Sequence, residues 1–368
     1  MTREELAGAR RVVLKLGTRV LTDDQGRLAL ARLFNVVDAA VLLHRRGVQV
    51  LLVSSGAVGL GRDALQLCGE LDLADQQACA AVGQTRLMGL YEQGFARLGV
   101  VCGQVLLTQS DFADRARYLN LRATLNSLLH RGVVPVINEN DAVSTEELRR
   151  VEGVFGDNDR LSALVASKLE ADLLVLLTDV DGVYDRDPSQ PLAKLLGEVP
   201  PDFQAGGPRG GRGGMRSKVE AARLAARSGC HAVIASGREA GALSEVLAGE
   251  AVGSWFPAEA APTARRRWIA FATAVRGVLV LDAGAVAALK GDASLLAVGV
   301  RQVDGTFEAG DVVELRDDQG TVVGRGRVTV SAEVARAWCA GARPEGKRNR
   351  DALVERDELV LEEPGHAT

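Results

Sequence analysis

Residues 10–250 alternate short, uninterrupted apolar runs with stretches of helical spacing, and this alternation restricts the fold more than any other feature of the chain. Val12–Leu16, Val48–Val53, Val100–Leu107, Val133–Ile137, Leu173–Leu177 and His231–Ala235 read as strands. Between them, Leu28–Arg46, Ala74–Leu98, Tyr118–Arg131, a segment from about Asn158 and Lys218–Arg227 read as helices, the first two ending at Gly47 and Gly99. A strand that is apolar at every residue is buried on both faces, which requires helices on both sides of a mostly parallel sheet. The expected fold class is therefore α/β, with a largely parallel central sheet.

In such sheets the ligand crevice lies beyond the carboxyl ends of the strands. Four polar clusters fall there: Gly17-Thr18, Ser54-Ser55-Gly56, Asn138–Asp141 and Thr178-Asp179. Any one of them is an ordinary strand end. Four on one edge point to a site.

The pattern changes near 254-SWFPAEAAPTARRRW-268, where Pro and Ala accumulate and a linker is expected. Short strand-like pieces follow at Val278–Leu281, Leu295–Val303, Val312–Leu315 and Val322–Val330, separated by the turn signals 304-DG, 309-AGD and 317-DDQG. The resulting division is 1–258, a linker at 259–274, and a small β-rich domain at 275–368. The mixed-charge tail 343–363 reads as solvated surface, with Leu353–Val360 docking as an edge. No internal repeat is evident.

A length of 368 residues suits two domains, and 47% hydrophobic with 25% charged residues is an ordinary folded composition. The net charge of −4 predicts no general affinity for nucleic acid or anionic membrane. No apolar run reaches the roughly 18 residues of a membrane span, and the acidic start MTREELAGARR lacks a secretory core. The five cysteines are scattered, odd in number and without a C-x-x-C pair, and the four histidines are isolated. They read as reduced thiols of a cytoplasmic protein, with no metal site built from side chains.

Three features carry chemistry. Lys15 sits inside an apolar strand, VVLKLGT, where an unpaired ammonium is very costly. It is either a structural salt bridge or a cation held over a phosphate beside the Gly17 N–H. The segment 206-GGPRGGRGGMRSKVEAARLAARSG-229 is a Gly-rich loop opening a helix, an arrangement suited to an anion, and it places Lys218 where the helix dipole disfavours a cation. It is not a Walker motif, and a flexible Gly/Arg linker looks similar. Finally, Asp157, Asn158 and Asp159 precede an apolar helix. One caps it; the others are expected to face the crevice. Two lysines, a Gly-rich loop and no catalytic His or Cys indicate phosphoryl transfer, with Mg²⁺ bridging nucleotide phosphates and Asp157, Asp159 and Asp179 assisting.

Together, 12-VVLKLGTRVL-21, 53-VSSGAVGLGR-62, 81-AVGQTRLM-88, 135-PVINENDAV-143, 156-GDNDRLSALVA-166, 175-VLLTDVDGVYDRDP-188 and 213-GGMRSK-218 resemble the amino acid kinase family, in its glutamate-phosphorylating branch. The stretches 277-GVLVLDAGAVAALKGDASLLAVGV-300 and 310-GDVVEL-315 resemble a PUA domain. The resemblance implies a three-layer α/β/α sandwich followed by the PUA domain. It implies transfer of the ATP γ-phosphate to the γ-carboxylate of L-glutamate, giving γ-glutamyl phosphate, the start of proline synthesis. On this likeness Lys15, Lys218 and Asp159 are catalytic. Ser55, Asp141 and Asn158 bind glutamate, with Asp141 on the ammonium and Ser55 and Asn158 on the carboxylates. Lys15, Gly17, Thr178, Asp179, Arg212, Gly213, Gly214, Met215, Arg216, Ser217 and Lys218 form the ATP site. Feedback inhibition by proline and a homodimer or homotetramer are also implied.

Arg212 replaces a hydroxyl that is usual in the family loop, Arg216 is uncommon there, and 197-GEVPPDFQAGGPRGG-211 is short and Gly/Pro-rich, so a more mobile cover over the nucleotide is expected. No reductase-like part follows, so the bifunctional synthetase is not expected. The rivals are a related kinase acting on acetylglutamate, aspartate, carbamate or UMP, and an RNA-binding or regulatory PUA protein, supported mainly by 265-RRR-267.

Overall fold

A computed structural model describes residues 2–23, 28–108, 111–112, 114–143, 158–203, 214–239, 241–259, 269, 275–291, 293–341 and 352–361. The chain divides into two compact units, Met1–Asp111 with Ala116–Ala261, and Pro262–Thr368 with Phe112–Arg115. Apart from Glu259 and Ile269, the expected linker 259–274 lies outside the described residues.

The first unit is built on a seven-stranded sheet of β1 (Arg11–Leu16), β2 (Gln49–Ser54), β3 (Cys102–Leu107), β4 (Val134–Glu139), β5 (Leu173–Thr178), β6 (His231–Ser236) and β7 (Ser254–Phe256). The order is β3-β4-β2-β1-β5-β6-β7, and every pairing is parallel except β6 with β7. β2, β4 and β3 thus lie on one side of β1, and β5, β6 and β7 on the other. Ser254–Phe256, at the point where the sequence pattern changes, is not linker. It is a short antiparallel edge strand, invisible to the periodicity because three residues show no period.

Alternation along β1 sorts its side chains between two helical layers. Val12, Leu14 and Leu16 join the core formed with α2 (Leu30–Arg45), α4 (Leu73–Arg97) and α8 (Ala242–Leu247). Val13 and Lys15 face the opposite layer, where α6 (Asn158–Lys168) and α7 (Met215–Arg227) pack beside α5 (Arg115–His130), whose Tyr118 hydroxyl donates to the Lys168 carbonyl at 3.2 Å. The result is a three-layer α/β/α sandwich. α6 is buried at every position but Arg160, as expected of a helix crossing the centre of a sheet beneath another helix.

Two short helices escaped the sequence reading. α1 (Thr18–Leu21) turns immediately after β1, and α3 (Ala57–Leu65) follows Ser54-Ser55-Gly56. Gly56 has φ 100°, a left-handed turn that an L side chain rarely adopts. α3 packs backbone to backbone on α4: a Cβ at Gly83 would collide with the Ala57 carbonyl, and one at Gly61 with the backbone of Cys79.

The second unit is a six-stranded sheet in the order β10-β8-β11-β12-β13-β9, comprising β8 (Gly277–Leu281), β9 (Leu295–Leu296), β10 (Val300–Gly305), β11 (Val312–Arg316), β12 (Val322–Val328) and β13 (Ala352–Leu361). β13 is not an edge: it pairs with β12 on one side and β9 on the other, burying Leu353, Val354 and Leu359. Two helices, α9 (Ala283–Lys290) and α10 (Ala332–Cys339), complete the core and went unread in the sequence. Both start at an ordinary cap, Asp282 accepting from the Ala285 N–H at 2.7 Å and Ser331 from the Val334 N–H at 3.4 Å.

Candidate active site

Lys15 and Lys218, 203 positions apart in sequence (218 − 15), meet on one carboxylate. Lys15 Nζ is hydrogen-bonded to Asp159 Oδ1, and Lys218 Nζ lies 3.0 Å from Asp159 Oδ2. Asp159 is fully enclosed, and both lysines are buried. Strand alternation aims Lys15 at the α6 layer. The start of α6 sets Asp159 over β1, and the first turn of α7, packed on α6, delivers Lys218. Ser217 Oγ donates to Asp159 Oδ2 and lies 2.9 Å from the Gly214 carbonyl, so the start of α7 is tied to the same carboxylate. An ammonium has three N–H donors, and Lys15 spends one on Asp159. Burying charges in this way is expensive unless they are mutually satisfied, and a structural ion pair needs only one lysine.

Gly17 follows Lys15 at the strand end, where its N–H reaches Leu177 O at a long 3.4 Å. A Cβ there would come within 3.7 Å of Lys15 Nζ. Across the sheet, Thr178 Oγ1 donates to Asp179 Oδ1 at 3.2 Å, and Arg19 lies 3.4 Å from Asp179 Oδ2. Burial pushes the Asp179 carboxyl upward. A backbone hydrogen bond, Arg19 and Thr178 outweigh that and hold it below its ordinary value. Gly214 caps α7 without a side-chain bond, and a helix start presents first-turn N–H groups that no intrahelical carbonyl takes. Arg216 instead turns out to Glu220 on an exposed face. Of the nucleotide-site residues read from the sequence, Arg212 and Gly213 lie outside the described residues, as do Asp157 and most of the 197–211 segment.

On the other side of Asp159 the site is made of amides and hydroxyls. Asn158 Nδ2 is within reach of Ser55 Oγ at 2.9 Å, Asn138 Oδ1 at 3.1 Å and the Ser54 carbonyl at 3.2 Å. Its two protons are therefore spent, and Oδ1 is the atom left over, buried and without a partner among the described residues. The sequence reading expected Asn158 to hydrogen-bond a substrate carboxylate; here its NH₂ is already taken up by protein acceptors. In this arrangement Asn158 offers an acceptor, and Ser55 Oγ, which accepts from Asn158, keeps its own proton. Asp141 is buried at the end of the same strand edge. Ser54 Oγ lies 2.9 Å from the Tyr91 hydroxyl, whose phenol burial pushes upward and keeps neutral.

Asn138 lies in the polar cluster at the end of β4 and Gln84 in 81-AVGQTRLM-88, but neither pattern gives its side chain a role. Asn138 Nδ2 donates to Gln84 Oε1 at 2.8 Å. The missed signal is a polar residue on the buried stripe of α4, which otherwise reads Cys79, Ala80, Gly83, Leu87, Tyr91 and Phe95.

The chain matches the description "Amino acid kinase family" over residues 10–236 and "PUA domain" over residues 277–343. It is 46% identical over 98% of its length, and 98% of the relative's, to a protein from Chromohalobacter salexigens named glutamate 5-kinase. The chain belongs to the amino acid kinase family. Proteins of the same name from Stutzerimonas stutzeri and Rhizobium etli are 45% and 43% identical over 98% of this chain, and over 100% and 95% of their own. Within this family member, Lys15, Asp159 and Lys218 all fall inside the kinase match.

Among the described residues no group of three or more His, Cys, Asp or Glu is placed to hold a metal ion, and no helix is long and apolar enough to cross a membrane. All five cysteines are free: Cys79 and Cys230 are buried, Cys102 and Cys339 half-buried, and Cys68 exposed.

Proposed function

We propose that this chain transfers the γ-phosphate of ATP to the γ-carboxylate of L-glutamate, the reaction of a glutamate 5-kinase. The observation that carries the phosphoryl-transfer step is the convergence of Lys15 and Lys218 on Asp159. The relatives support the acceptor, because they share the whole chain and not the PUA part alone. That breadth also weighs against reading the chain as an RNA-binding module only.

A γ-carboxylate oxygen of glutamate attacks the γ-phosphorus. The bond from that phosphorus to the bridging oxygen breaks, and ADP leaves with the bond's electrons. No general base is needed, since the acceptor is already ionised at neutral pH. Catalysis is then a matter of placement and charge. Lys15 and Lys218 neutralise the oxygens of the group in transit, and Asp159 holds the two cations in position. The first-turn N–H groups after Gly214 and the Gly17 backbone receive the nucleotide phosphates. Thr178 and Asp179 border the same crevice. Ser55 donates to the acceptor, Asp141 pairs with its ammonium, and Asn158 Oδ1 accepts from it.

The donor set suits Mg²⁺ arriving on the nucleotide and not in a protein cage: Asp159 is committed to Lys15, Lys218 and Ser217, and Asp179 to Arg19 and Thr178. Bound there, the ion would add charge neutralisation to the phosphates.

The test is purified protein with ATP and Mg²⁺, trapping acyl phosphate with hydroxylamine. Hydroxamate forms from L-glutamate and little from L-aspartate or N-acetylglutamate; equal yield from aspartate would refute the acceptor. Proline competes with glutamate at the same site, and an unchanged glutamate saturation curve in its presence would reject that. The protein assembles as a homodimer or homotetramer, which sedimentation of a lone monomer would reject. Five free thiols are consistent with a reducing, cytoplasmic setting.

A further inference from the structure

The hydrogen bonds around Asn158 do not stop at the residues assigned to the acceptor. The Glu139 backbone N–H, which can only donate, reaches Asn138 Oδ1 at 2.9 Å. That fixes which end of the Asn138 amide is oxygen, so its NH₂ points to Gln84, which must present Oε1 at 2.8 Å. On the other flank the Ser54 carbonyl, which can only accept, takes Asn158 Nδ2 at 3.2 Å. The same NH₂ lies 3.1 Å from Asn138 Oδ1. Amide orientations are often ambiguous; here backbone groups at both ends determine all three. The relay runs Gln84, Asn138, Asn158 and ends on a buried acceptor, Asn158 Oδ1.

Gln84 is itself buried, one residue after Gly83, whose contact with the Ala57 carbonyl locks α4 to α3. It also borders a cavity of about 210 Å³ together with Glu139 and Asp141. A space of that size exceeds the roughly 30 Å³ share of one water in the liquid, and carboxylates on its wall suit a cation.

We propose that Gln84 is a positioning residue for the amino-acid acceptor: by accepting from the Asn138 NH₂ it keeps Asn138 Oδ1 beside the Asn158 NH₂, where with the Ser54 carbonyl and Ser55 Oγ it holds Asn158 in place with its carbonyl oxygen toward the substrate, and so favours an acceptor that carries an ammonium group. Without Oε1 the Asn138 NH₂ loses its acceptor. Asn138 is then held only at its oxygen, and its Oδ1 can shift away from the Asn158 NH₂. This deepens the glutamate-kinase reading and rests on it.

Gln84→Met keeps the length and apolar stem but cannot accept a hydrogen bond. Three constants decide: KM for L-glutamate, KM for ATP, and the inhibition constant of glutarate, which is glutamate without its amino group. The expected result is a rise of about tenfold or more in KM for glutamate, with KM for ATP and the glutarate constant within about threefold of the parent enzyme. An unchanged glutamate KM overturns the proposal. So does a parallel loss for glutamate and glutarate, which marks a merely structural role. Gln84→Ala gives the same readout if the Met variant does not fold. Failure of the kinase reading looks different: the unmodified enzyme then yields no hydroxamate from L-glutamate.

Discussion

Lys218 Nζ lies 3.0 Å from Asp159 Oδ2, although 59 positions of sequence separate them. The contact joins the first turn of α7 to the first turn of α6, and Lys15 completes it from β1 beneath. Each predicted consequence below depends on which atoms that junction satisfies.

Replacing Asp159 by Asn leaves two buried ammonium groups without their carboxylate. Breaking a buried ion pair in this way costs about 3–5 kcal/mol. Urea unfolding without nucleotide reads that loss. Because ATP phosphates supply the missing negative charge, saturating ATP raises the melting temperature of Asp159→Asn more than that of the parent protein. An equal rise in both would mean that the lysines do not meet the phosphates.

Lys218→Ala removes a cation whose value is greatest when charge builds on the transferring group. We predict a fall in kcat of about a hundredfold or more, with KM for glutamate changed only a few-fold. Steady-state kinetics with hydroxamate trapping measures both. A large KM effect with kcat intact would place Lys218 in ground-state acceptor binding instead.

Gly83→Ala puts a methyl group into the Ala57 carbonyl, where only backbone can yield. Forcing α3 and α4 apart costs about 1–3 kcal/mol, read as a lower urea midpoint. Since Gln84 and Ser55 sit next to this crossing, the surviving folded fraction also shows a raised KM for glutamate.

His231 accepts from the Ala258 N–H at 3.1 Å and Trp255 Nε1 at 3.3 Å, both on Nδ1, which therefore carries no proton. Burial pushes its pKa below the ordinary 6.5, with Glu5 and Asp172 opposing in part. The unfolded chain then binds a proton in the window just below 6.5 that the folded chain does not. Stability is full above that window and falls as pH drops through it. His231→Gln keeps an acceptor but does not titrate, and chemical denaturation from pH 7 to 5 should show a shallower loss for it than for the parent.

Six of the seven strands of the first unit were legible because each is mainly apolar, a pattern that few arrangements other than a covered parallel sheet can bury. Short elements were not. β7 has three residues and α1 four, too few to show a period, and they form because neighbouring elements leave a place for them. The tail strand β13 reads as an edge in the sequence because its exposed Glu355-Arg356-Asp357 masks the flanking buried pairs. In the site, Lys15 was conspicuous as a charge inside an apolar run, and the Asp157–Asp159 triplet as more capping groups than one helix needs. Gln84 was not, because a glutamine within a helix is commonplace until its face is known to be buried.

The sequence by itself determined the parallel sheet, the β-rich second part and the identity of the charged groups at the strand ends, because hydrophobic period and local turn chemistry are written in adjacent residues. Only the tertiary structure decided that Lys15 and Lys218 share one carboxylate, that Asn158 is left with an oxygen to offer, and that Gln84 stands behind it. Hydrogen-bond direction is set by which donors and acceptors meet in space, and those partners come from three strands and three helices far apart in the chain.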